Sequence, residues 1–155
     1  MKLNNLKAQF RVEKEFKFKS GNHNFKIEDV SCTVYPHSKN VIHVTGIKSF
    51  FHLNQCKEYI KRKFNLISYK IDNQFYSHKG KKHIDLHKVY LQMMKNDDGY
   101  KISYEPELSN YILIKHYIKS YPTALCFSTG SYQIMGGKLK YVSYISSFVN
   151  KYIQV

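Results

Sequence analysis

Three histidines, His78, His83 and His87, stand in the stretch HKGKKHIDLH at spacings a metal ion could use, the last two four residues apart as on one face of a helix. No cysteine or fixed carboxylate stands near them to complete a ligand set, and eight histidines in one chain produce such spacings by coincidence. Neither a metal nor any other cofactor is expected. Covalent and acid–base chemistry find no better footing: there is no nucleophile elbow, phosphate loop or paired-carboxylate motif. Cys32, Cys56 and Cys126 are scattered and each sits among apolar residues. Buried free thiols are expected, not disulfides. These residues do not describe an enzyme.

Charge is more informative. The 155 residues carry 25 Lys+Arg against 11 Asp+Glu, a formal net charge of +14. That implies an anionic partner, nucleic acid ahead of a membrane surface. Only Arg11 and Arg62 are arginine, and abundant Lys, Asn, Ile and Tyr also fit an A+T-rich genome. No apolar run reaches transmembrane length, and the opening MKLNNLKAQF lacks a signal-peptide core. An intracellular location is expected.

The elements that position such residues read as follows. Residues 6–19, 25–35 and 41–45 are strand-like, with turns at SGNHN and PHSKN. Residues 50–64 switch to helical spacing, with Leu53, Cys56, Ile60 and Phe64 on one face. Residues 66–79 form another strand and 84–94 a second helix, followed by an NDDG loop. Residues 104–138 form a meander: YEPEL, strands at 111–117, 123–127 and 132–135, and an STG hairpin turn in which Gly130 supplies positive φ. Tyr141, Tyr144, Ile145, Phe148, Val149 and Tyr152 then recur at helical spacing. Strands followed by Gly and a helix occur twice, so residues 1–65 and 66–155 read as two halves of a duplicated unit within one domain.

YEPEL, an apolar strand bearing Lys115, a strand ending in Phe127, then xxG and a strand ending in x-G-x-K resemble the second half of the TATA-box-binding protein family. The match covers residues 73 to the C-terminus. It implies an α+β fold: a curved antiparallel sheet of eight to ten strands in two pseudo-symmetric halves. Its convex side would carry helices near 50–64, 83–95 and 140–153.

The resemblance also implies a function: transcription initiation by gripping A·T-rich promoter DNA in the minor groove, with a TFIIB-like factor and RNA polymerase subunits as partners. The chain would act as a monomer or within a heteromer. Carried over position by position, Phe127 falls on a family wedge with Leu125 beside it, whereas Ser109 stands where the second wedge belongs. Tyr35 matches Phe127 in the first half, and Phe10 is its candidate partner, ordinary core packing being the alternative at each. Asn73 and Thr45 fit family floor positions. Met135 replaces a threonine, His43 and Gln133 replace valines, and Lys48, Lys115 and Lys138 match basic positions near phosphates. A divergent member, of viral or parasite origin and with fewer wedges, should bend DNA less. A scaffold that keeps the fold without strong bending is the second reading. The accessory hybrid-binding domain of some ribonucleases is a third, for which the chain carries no catalytic domain.

Overall fold

Alternation of buried and open side chains decides where this chain is extended. In the computed structural model, which describes residues 1–153, the order is β1 (Lys2–Val12), β2 (His23–Ile27), β3 (Val30–Val34), β4 (Val41–Ile47), α1 (Phe50–Phe64), β5 (Leu66–His78), α2 (Leu86–Met93), β6 (Tyr100–Ser103), β7 (Tyr111–His116), β8 (Thr123–Phe127), β9 (Tyr132–Met135) and α3 (Val142–Ile153). The strands form one nine-stranded sheet in the order β2-β3-β4-β1-β5-β9-β8-β7-β6. Neighbours such as β1–β4, β5–β9 and β7–β8 run antiparallel. The fold is α+β. No helix among the described residues is long and apolar enough to cross a membrane. The chain clusters into two compact units, Leu3–Gln74 and a second from Phe75 onward that also takes Met1–Lys2.

In the first unit Leu6, Ala8, Phe10 and Val12 of β1 share the buried face with Ile42, Val44 and Ile47 of β4 and with Cys32 and Val34 of β3. Helix α1 closes over them with Leu53, Cys56, Ile60 and Phe64, the four residues its spacing selects. Ser49 caps its start, accepting from His52 N at 3.0 Å through Oγ. Lys61, Arg62 and Lys63 crowd the last turn, where cations suit the helix dipole. The predicted strand 6–19 is shorter at its end and longer at its start. Past Val12 the backbone turns away, as Glu13 N donates to Asn65 O and Phe16 N to Lys39 O. Phe16 is buried from a loop. The predicted strand 25–35 is a hairpin. Ile27 and Val30 both point inward, which breaks the period of two, and Glu28 takes φ 54° in the turn.

In the second unit Ile112 and Ile114, Ala124 and Cys126, and Tyr132 and Ile134 face inward from β7, β8 and β9. Helix α3 lies on that side, since Tyr132 Oη meets Ser146 Oγ at 2.9 Å and Tyr100 stacks on Phe148 with centroids 4.0 Å apart. It buries Val142, Ile145, Phe148, Val149 and Ile153, while Tyr144, expected on the same face, is 58% exposed. Helix α2 begins only at Leu86 with Asp85 as its cap, so His83 precedes the helix and does not share a face with His87. YEPEL is not extended: Leu108 N and Ser109 N both donate to Glu105 O, closing a turn. Strand β6, only four residues between the NDDG loop and that turn, has too little sequence to show a period.

Candidate nucleic-acid interface

Each unit leaves one alternation of its sheet uncovered by helix. In the second unit the register places a transverse row across it: Ser103 opposite Leu113, Leu113 opposite Leu125, Leu125 opposite Gln133, and Gln133 opposite Ser77. Thr123, Met135 and Phe75 form a second row, and Tyr111 opposite Phe127 a third. All ten are half-buried. The result is a sheet surface of apolar and small polar groups, with exposed Lys101 and Lys115 opposite one another on β6 and β7. Phe127 meets Tyr111 edge-on, with centroids 6.0 Å apart at 64°. Ser109 is drawn into the YEPEL turn, its Oγ 3.5 Å from Glu105 O, so Tyr111 is the aromatic beside Phe127.

In the first unit the open alternation is polar. Asn24 lies opposite Thr33, Thr33 opposite His43, and His43 opposite Gln9. Thr33 Oγ1 donates to Asn24 Oδ1 at 3.0 Å, and Gln9 Nε2 donates to Asp72 Oδ2 at 2.7 Å. Thr45 is exposed opposite Ser31. Tyr35, just past β3, stacks on His37 at 5.6 Å and meets His43 edge-on at 4.9 Å. Burial lowers the His43 pKa, Asp72 opposes that, and Lys7, His37 and Lys70 lower it further. The imidazole is therefore neutral near pH 7.

Of the residues selected from sequence, Phe127, Leu125, Gln133, Met135 and Lys115 share the open face of the second unit, and Tyr35, His43 and Thr45 that of the first. Phe10 does not belong with them. It is fully buried and stacks on Tyr69 at 5.7 Å, because it shares the parity of Leu6, Ala8 and Val12. Asn73 is exposed on β5 and accepts from Gln74 N at 2.9 Å. Lys48 and Lys138 are exposed just beyond β4 and β9, and Lys138 N donates to Ser120 O at 2.7 Å. The residues missed are Gln9, Asp72, Thr33 and Leu113. The alternation of YILIKH already marks Leu113, while the others emerge only from strand register. Among the described residues no three His, Cys, Asp or Glu side chains gather as a metal site requires.

No protein family matches the chain, and no curated protein does. Among solved structures it is similar to the TBP of Methanococcus jannaschii, with a TM-score of 0.64, 15% identity, and coverage of 99% of this chain and 98% of that one. The fold is TBP-like.

Proposed function

We propose that the chain is a TBP-like transcription initiation factor that binds A·T-rich promoter DNA in the minor groove and recruits a TFIIB-like factor and RNA polymerase. The observation that carries this reading is the open face of the second unit. Leu113, Leu125, Met135, Tyr111 and Phe127 stand half-exposed on a sheet whose other side takes the helices. The minor groove offers little to hydrogen-bond, so a broad apolar face with an aromatic wedge suits it better than a comb of lysines. The likeness to an archaeal TBP supports the fold on which the reading depends.

Gel shifts with A·T-rich and G·C-rich duplexes across a salt series test it. The A·T-rich duplex should bind more tightly, weakening about tenfold or more between ~50 and ~200 mM salt. Absence of duplex binding at low salt would instead favour a second reading, a TBP-fold scaffold within a transcription complex. The burial of Phe10 favours that alternative, since it removes one wedge from the first unit.

A further inference from the structure

The row Asn24, Thr33, His43, Gln9 ends on a carboxylate, and that fixes an amide. A carboxylate only accepts, so the Gln9 group 2.7 Å from Asp72 Oδ2 is its nitrogen. The amide is thereby held in one of its two orientations, with Oε1 as its remaining acceptor. His43, across the strand, is neutral and offers one donor and one acceptor. Gln9 also borders a shallow cavity of about 220 Å³ whose rim includes Arg11 and Lys70, cations suited to the flanking phosphates.

In the minor groove an A·T pair presents only the acceptors A N3 and T O2, whereas a G·C pair adds the donor G N2–H2. A pinned amide oxygen repels the first pattern and accepts from the second. Gln133 in the other unit lies between Leu125 and Ser77, neither of them a carboxylate. Its NH2 can face A·T acceptors.

We infer that the unit of residues 3–74 reads a G·C pair through Gln9 Oε1, with Asp72 as the positioning residue, so that the preferred duplex is A·T-rich but carries one G·C pair. The inference rests on the minor-groove reading above, and the test separates the two.

Fluorescence anisotropy at low salt would use an A·T-rich duplex through which one G·C pair, then one inosine·C pair, is moved. Inosine lacks the N2 amine and presents the A·T pattern in the minor groove. At one position, or two adjacent ones, G·C should bind about fivefold or more tighter than A·T, and inosine should cancel the gain. Asp72→Asn keeps the shape but can donate to Gln9 Oε1, letting the amide reverse, so the preference should turn towards A·T. Gln9→Ala should abolish it, and circular dichroism melts establish that both variants fold. Equal or weaker binding of G·C at every position, inosine as good as guanine, or an unchanged preference in Asp72→Asn would overturn the inference while leaving minor-groove binding intact. Absence of binding to every duplex would overturn the minor-groove reading and the inference with it.

Discussion

Phe127 and Tyr111 meet edge-on at a corner of an open apolar face, and the first unit has no comparable pair. Its Tyr35 is engaged by His37 and His43, and the Tyr35 hydroxyl is costly to place between bases without a partner. Wedging should therefore be one-sided. In a FRET assay the bend is expected to be shallow and mostly lost in Phe127→Ala. Lys138→Ala should leave the angle unchanged and reduce the salt slope by about one. A full kink surviving Phe127→Ala would contradict this. His43 sets a pH dependence. Its folded pKa is depressed, so the unfolded chain takes up the proton first on acidification. The stability it contributes is full above the ordinary histidine range and is lost as pH falls through the folded pKa. Denaturant midpoints should drop on acidification below about pH 6.5, less steeply in His43→Gln. An unchanged slope in the variant would exclude His43 as the cause.

Helix α1 was legible in the sequence because Leu53, Cys56, Ile60 and Phe64 repeat with its period, and in the folded chain Ser49 caps its start. Removing that cap in Ser49→Ala should cost about 1 kcal/mol in a denaturant melt. No change would mean that other groups satisfy the first turn. Strands β7, β8 and β9 were legible for the same kind of reason, each bounded by turn residues. The β2–β3 hairpin was hidden because it turns at Glu28–Asp29, without the Gly or Asn that such turns usually show. Phe10 illustrates a different limit. Alternation tells which residues share a face, but the choice of inner face follows from Leu6, Ala8 and Val12 taken together. The Gln9–Asp72 pair joins residues 63 apart in sequence, so only the pairing of whole strands brings it into being.

For the whole molecule, a net charge of +14 meets little internal neutralisation. Lys151 with Asp98 at 3.1 Å is the one ion pair among the described residues, and it is exposed. Self-repulsion should make the protein melt at a higher temperature as salt rises, opposite in sign to the salt effect expected for the proposed duplex binding. A melting temperature that falls with salt would show that the charges are compensated locally. The same lysines make the stretch from Lys79 to Lys82 an obvious target for trypsin. Yet Gly80 N donates to Ser131 Oγ and Ile84 N to Ser128 O, both at 2.8 Å, so the β8–β9 turn ties this connection down. The fit leaves no room for a side chain: a Cβ on Gly80 would lie 2.3 Å from Gly130 C, and one on Gly130 2.3 Å from Lys82 O. Gly130→Ala, strained as well by φ 82°, should release the stretch and quicken its cutting by trypsin while distant lysines are cut at their former rate. The rate of that one nick then serves as a clock for how often the distant hairpin lets go.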